Sequence, residues 1–243
     1  MRTLILGDIH SHLIALQAVV ADAEERGGFD QVWCLGDTVG YGPDPRPCLG
    51  LLRGYPLLAV AGNHDQAATG QLGVEEFNGP AARAALWTAQ QLSAEDRDFL
   101  SGLPLTATSG DFTLVHGSLR EPLWEYLLSE GSALATFQLL STRFCLVSHS
   151  HIPFIYQENQ GDPNFVDFTE DQQFALSEER WIINPGSVGQ PRDRDPRPSY
   201  AVYDSDQGAI SRHRVSYDIG ETQERMRQAQ LPKPLIDRLN YGV

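Results

Sequence analysis

Five short apolar runs, all of strand length, end in the same kind of polar punctuation. "TLIL" (3–6) stops at Gly7-Asp8, "QVWCL" (31–35) at Gly36-Asp37 and "PLLAVA" (56–61) at Gly62-Asn63-His64-Asp65. "FTLV" (112–115) stops at His116-Gly117, and "FCLV" (144–147) at Ser148-His149-Ser150-His151. Runs of this length bounded by turn residues read as buried strands. Between them the periodicity is helical. In "HLIALQAVVADAEERGG" the residues Leu13, Leu16, Val20 and Ala23 form one stripe that ends at Gly27-Gly28. Further helices are expected at 47–54, 79–92, 95–100 and 122–140. Beyond residue 150 the texture changes to short, turn-separated alternating segments ("FIYQ", "QQFAL", "RWIIN", "SYAVYD", "AISRHRV") before a closing helix at 221–230. Strand–helix alternation followed by a strand-rich part predicts one α/β domain over 1–243 with more than one sheet. In such folds ligands gather at the carboxyl ends of strands, where every one of these polar clusters stands.

Composition narrows the partners. The chain of 243 residues carries a formal charge of −14 and no block of Lys or Arg, which argues against an extended nucleic-acid surface. No apolar run approaches the roughly 20 residues needed to span a bilayer. "MRTLILGDIH" reaches charged residues with no small-residue cleavage site, so a signal peptide is not expected. Cys34, Cys48 and Cys145 lie in apolar contexts with no CxxC spacing and read as buried free thiols, which suits a cytoplasmic protein.

The polar clusters, counting the His10 that follows Gly7-Asp8, hold five of the seven histidines; His12 stands two residues beyond the first, and only His213 lies far from them. Singly each cluster is a weak signal, but histidines scattered over loops would not concentrate in this way. In an extended segment residues i and i+2 face one side, so Asp8 with His10, and His149 with His151, are expected to converge by strand alternation, with Ser150 as a spacer. Asp37, Asn63, His64 and His116 complete the set. Mixed carboxylate, imidazole and amide donors suit Mn, Fe, Co, Ni or Zn better than Ca or Mg. No cysteine belongs to the set, which excludes a Cys-rich structural zinc site.

The order GD-x-H, GD, GNHD, HG, H-x-H resembles the calcineurin-like metallophosphoesterase superfamily. The stretches "LGDTVGYGPDP", "FNGPAARAALWTAQQL", "VHGSLREPLWEYL", "NPGSVGQPRDRDPRPSYAVYD" and "HRVSYDI" extend the likeness over essentially the whole chain, toward a compact bacterial subfamily of phosphodiesterase type. The resemblance implies a four-layer sandwich, two mixed β-sheets flanked by helices. It implies two divalent transition-metal ions, Mn first among them, with Asp8, His10, Asp37 and His151 on one and Asp37, Asn63, His116 and His149 on the other. It also implies hydrolysis of a phosphodiester or small phosphomonoester by a metal-bridging hydroxide, with His64 as proton donor to the leaving group. Such a centre supplies local positive charge to an acidic protein and so admits a small phosphorylated substrate. His12, Asn78 and Arg192 are candidate substrate contacts, and residues 66–92 a candidate helical lid lined by Phe77 and Asn78. His12 reads equally as the start of a helix, and Arg192 as a surface loop arginine.

Two departures stand out. The protein-phosphatase branch has Asp-Arg-Gly after its second block, where Val39-Gly40-Tyr41-Gly42 stands here. The lost Asp deprives His64 of a partner. Ser148 occupies a position where the family commonly has Gly. The alternative reading is a non-catalytic metal-binding scaffold of the same fold, as in the retromer scaffold subunits; the complete ligand set and His64 argue for the enzyme.

Overall fold

The computed structural model describes residues 1–176 and 178–243. In chain order the elements are β1 (Arg2–Leu6), α1 (Leu13–Glu25), β2 (Gln31–Cys34), α2 (Pro45–Leu52), β3 (Leu57–Ala59), α3 (Asn63–Thr69), α4 (Gly79–Gln91) and α5 (Ala94–Ser101). They continue with β4 (Thr106–Ser109), β5 (Phe112–Val115), α6 (Glu130–Leu139), β6 (Phe144–Leu146), β7 (Phe154–Asn159), β8 (Asp162–Val166) and β9 (Gln173–Ala175). The chain closes with β10 (Trp181–Asn184), β11 (Ser199–Asp204), β12 (Ala209–Arg214), α7 (Ile219–Gln228) and α8 (Lys233–Asp237).

The strands form two six-stranded sheets, ordered β3-β2-β1-β11-β12-β9 and β4-β5-β6-β10-β7-β8. Both are mixed. β1, β2 and β3 run parallel, and β11 joins β1 antiparallel. In the second sheet β5, β6 and β10 run parallel, while β4 and β7 pair antiparallel at either side.

Period-two alternation assigns each apolar side chain to a layer. Ile5, Trp33, Leu114, Phe144, Leu146, Ile183 and Ala201 point between the sheets and fuse them face to face. Their neighbours Leu4, Leu6, Val32 and Cys34 point outward, onto Leu16 and Val19 of α1 and Cys48 of α2. On the far side Val115, Cys145 and Ile182 meet Ala133 and Phe137 of α6. The layers are therefore helix, sheet, sheet, helix, as the sequence leads one to expect. All three cysteines are buried and free, and burial pushes the Cys34 thiol up to about 12.

Several expectations need correction. The helix expected over 122–140 forms only from Glu130, where Ser129 caps it; 122–129 is loop. The Ser129 hydroxyl accepts from the Ser132 amide, whereas Pro122 lies in a turn whose carbonyl accepts from Gly117. β4, β8, α3 and α8 were not read from the sequence. Each is short or polar, and neither property produces a periodic signal. Among the described residues no helix is long and apolar enough to cross a membrane.

Candidate metal centre

The polar clusters meet at one end of the sandwich. Asp8 and His10 follow β1, Asp37 follows β2, and Asn63 and His64 open α3 after β3; these come from the first sheet. His116 follows β5, and His149 and His151 follow β6, from the second. All eight side chains are buried.

Strand alternation is not what aims them. Asp8, His10, Asp37, His149 and His151 all have positive φ, between 49° and 62°. For non-glycine residues this left-handed backbone costs on the order of 1–3 kcal/mol each, and such strain gathers at functional sites. The i, i+2 pairs converge because both members kink, not because the segment is extended. Two glycines make room for the kinks. Gly36 has φ +89°, and a Cβ on Gly62 would lie 2.1 Å from Asp37 Oδ1.

Backbone carbonyls set the tautomers. Nδ1 of His116 lies 2.8 Å from the Leu35 carbonyl, Nδ1 of His151 2.5 Å from the Gln190 carbonyl and Nδ1 of His10 3.3 Å from the Val39 carbonyl. A carbonyl only accepts, so each Nδ1 carries the proton and each Nε2 turns a lone pair into the site. The lone pairs then face one another. His10 Nε2 is 3.2 Å from His151 Nε2, and His151 Nε2 is 3.5 Å from Asp8 Oδ1. His116 Nε2 is 3.0 Å from His149 Nδ1, 3.2 Å from Asn63 Oδ1 and 3.3 Å from Asp37 Oδ2. Converging acceptors repel unless a cation lies among them. Among the described residues three groups could hold an ion: Asp8, His10 and His151; Asp37, His116 and His149; and His10, Asp37 and His64.

Electrostatics agree. Burial pulls the His116 imidazole down, yet Asp37, the hydrogen bond to it and Asp8 outweigh burial and raise its pKa to about 9. The field that would retain this proton would equally hold a metal ion in its place. Burial pushes the Asp8 carboxyl up to about 7. The Asp37 carboxyl goes the other way: against burial, His116, His64 and His149 hold it well below the usual carboxylate range.

His64 lines the cavity with its ring edge-on to Phe77 and tilted against Tyr41. Burial lowers its pKa to about 4, and its Nδ1 is buried without a partner among the described residues, in line with the missing Asp. Its backbone amide, not its ring, orients Asp37, donating to Oδ1 at 2.9 Å. Arg192 is half-buried and lines the cavity instead of lying on the surface. Asn78 is exposed at the cavity rim, with its Oδ1 capping α4 at Ala81. Phe77 lines the cavity beside it. His12 is the exception. It is fully buried at the start of α1 and outside the cavity lining, with its ring against Gly189. Its packing under the loop from Gly186 to Gln190 fits a helix-start residue better than a substrate contact.

Other residues here went unread. Asp65 accepts from the Val39 and Gly62 amides, both at 3.0 Å, and so ties the second and third clusters together. Asn184 donates to the Ser148 carbonyl and the Ser150 hydroxyl, pinning the turn that carries both histidines. Ser148 donates from its hydroxyl to Asp8 Oδ2. Tyr41, Trp124 and Tyr126 line the cavity mouth. Asn184, Trp124 and Tyr126 fall in family-like stretches, but no spacing in the chain assigns them a place.

A sequence model of the calcineurin-like phosphoesterase superfamily domain matches residues 1–208. The chain belongs to this superfamily. The family implies divalent metal ions, and the His/Asp groups described above are able to bind them. The chain is 37% identical over 243 residues to an uncharacterized protein of Methanocaldococcus jannaschii, covering 98% of this chain and 97% of the other. It superposes on a metallophosphoesterase from Sphaerobacter thermophilus with a TM-score of 0.89 and 44% identity, over 100% of this chain and 99% of that one. A symmetrical bis(5'-nucleosyl)-tetraphosphatase of Vibrio campbellii is 31% identical over 129 residues, spanning 51% of this chain and 47% of that enzyme.

Proposed function

We propose that this phosphoesterase is a two-metal hydrolase of phosphodiesters or small phosphomonoesters, with diesters preferred. One observation carries the reading. Asp37 Oδ2 stands between the two histidine groups, 3.6 Å from His10 Nε2 and 3.3 Å from His116 Nε2. A single buried carboxylate oxygen placed in this way can serve both ions at once. Asp8, His10 and His151 would complete one ion's shell, and Asn63, His116 and His149 the other's. The donor set favours Mn, with Fe, Ni, Co or Zn as substitutes. When bound, such ions lower the pKa of coordinated water and offset the charge on phosphoryl oxygens.

The chain's own residues do the rest. The His64 amide and the αL turn at Gly36 hold Asp37 in place. The His64 ring faces the cavity and enters as a neutral hydrogen-bond donor; a phosphoryl anion opposite it would raise its pKa and suit it to protonate the leaving-group oxygen. Tyr41 and Phe77 fix the ring's orientation. Segment 66–92 closes one side of the cavity as a lid. The partial likeness to tetraphosphatases supports a small phosphorylated substrate, and the −14 charge and buried thiols support a cytoplasmic enzyme that does not track nucleic acid.

The test is metal removal and reloading with Mn²⁺, followed by rates on bis-p-nitrophenyl phosphate and p-nitrophenyl phosphate. Activity should appear only after reloading, with two ions per chain and the diester cleaved faster. His64→Ala should keep both ions and lose roughly 10²–10⁴ in kcat. His149→Ala and His151→Ala should each retain one ion. No activity on either ester with Mn²⁺ or Ni²⁺ would remove the hydrolase reading in favour of a scaffold.

A further inference from the structure

The cavity over the metal centre is about 80 Å³, far below the roughly 300–1,000 Å³ that encloses a drug-sized ligand. A phosphoryl group can enter; whatever the phosphoryl is attached to must lie at the mouth. The mouth is aromatic. Tyr126 stacks one face on the His149 ring, with centroids 4.3 Å apart and planes within 13°. It is nevertheless 50% exposed, and among the described residues no second ring covers its other face. Trp124 stands beside it, edge-on to Phe77 at 5.1 Å. The Tyr126 hydroxyl, 3.5 Å from Arg192 Nη1, ties this ring to the cationic side chain of the lining. Gln190 Oε1 holds the other terminal nitrogen at 3.3 Å, and Arg192 Nε is buried with no partner among the described residues.

We propose that Tyr126 is a stacking platform for a planar ring carried by the substrate, so that the enzyme prefers small phosphoesters bearing a nucleobase or aryl group. Resting on the hydrolase reading above, this assigns its substrate class. Arg192 takes a phosphoryl oxygen at the cavity wall, and the ring one linker away lies on the open face of Tyr126, flanked by Trp124. The inner stack on His149 fixes the platform in register with the metal centre. An exposed tyrosine that merely shielded His149 would give no preference between ligands with and without a ring.

Binding to the Mn²⁺-loaded protein tests this without requiring turnover. Adenosine 5'-monophosphate and ribose 5-phosphate carry the same phosphoryl group and differ by the base. Calorimetry should find the nucleotide bound about tenfold tighter or more, the order expected for one stacked base. Tyr126→Ala should bring the ratio near one, while Tyr126→Phe should keep it. Phenyl phosphate against methyl phosphate repeats the comparison with a ring that has no hydrogen-bonding edge, and should show the same direction of preference. Equal affinities in the wild type, an unchanged ratio in Tyr126→Ala, or a preference confined to the nucleotide would each overturn the stacking proposal. Ring preference in a protein that hydrolyses nothing would leave it standing while the hydrolase reading falls. Hydrolysis without ring preference would do the reverse.

Discussion

Ser148 replaces a glycine common in the family, and its hydroxyl donates to Asp8 Oδ2, leaving Oδ1 for the site. The contact depends on a second residue without a side chain, because a Cβ on Gly7 would lie 2.2 Å from the Ser148 hydroxyl. Groups that orient a ligand in this way typically contribute 10–100-fold to metal affinity. If the proposed pair of ions is bound, Ser148→Ala should therefore weaken one of them by roughly that factor and spare the other, measured by chelator competition. Equal weakening of both ions would place Asp8 differently. At this scale the ligand types were legible in the sequence, since carboxylate, imidazole and amide donors are fixed by residue identity. Their aim was not. Alternation suggested that Asp8 and His10 share a side, whereas left-handed backbone at both positions brings them together.

The helices behind the site hold it through a few buried polar contacts. Asp96 of α5 accepts from the Ser93 hydroxyl at 2.6 Å and pairs with Arg46 and Arg53 at 3.1 and 3.3 Å. Leu100 of the same helix packs with Ala68 of α3, Leu49 of α2 and Val39 of the Asp37 loop. Although burial works against it, the Ser93 and arginine contacts hold the Asp96 carboxyl below its ordinary 3.8. A depressed carboxyl stabilises the fold fully above its unfolded pKa and stops doing so as pH falls through its folded value. Asp96→Asn should cost about 1.5–3 kcal/mol at neutral pH in urea unfolding. The gap to wild type should narrow only below the ordinary carboxylate pKa. A gap independent of pH would mean that shape and not charge matters there. The cap is a local contact, Ser93 and Asp96 standing three residues apart, whereas its arginine partners lie in α2 and just after it, 50 residues earlier for Arg46.

Across the whole molecule, each of the two ion sites proposed above draws on both sheets. Asp8 and His10 come from the first and His151 from the second; Asp37 and Asn63 come from the first and His116 and His149 from the second. Bound ions would therefore clamp the sandwich at the end where its loops are strained. A ligand that binds only the folded state at 100 times its Kd adds about 2.7 kcal/mol, or roughly 5–10 °C in midpoint for a chain of this size. Chelation should lower the thermal midpoint by about that amount per ion, and Mn²⁺ should restore it. A midpoint indifferent to chelation would mean that the ions do not join the sheets. The clamp could not be read from the sequence, because nothing in it says which strands share a sheet.

By itself the sequence determined the α/β class, the strand ends that carry chemistry and the residue types able to bind metal. These follow from hydrophobic period and from side-chain donors, both local properties. Tertiary structure decided the rest. It assigned each strand to one of the two sheets, chose left-handed turns to turn five candidate ligands inward, placed His12 behind the site and brought Arg192 into the cavity. It also set Tyr126 over His149. Those outcomes depend on contacts between residues far apart in the chain, where packing and the repulsion or pairing of buried polar atoms, not local propensity, select the conformation.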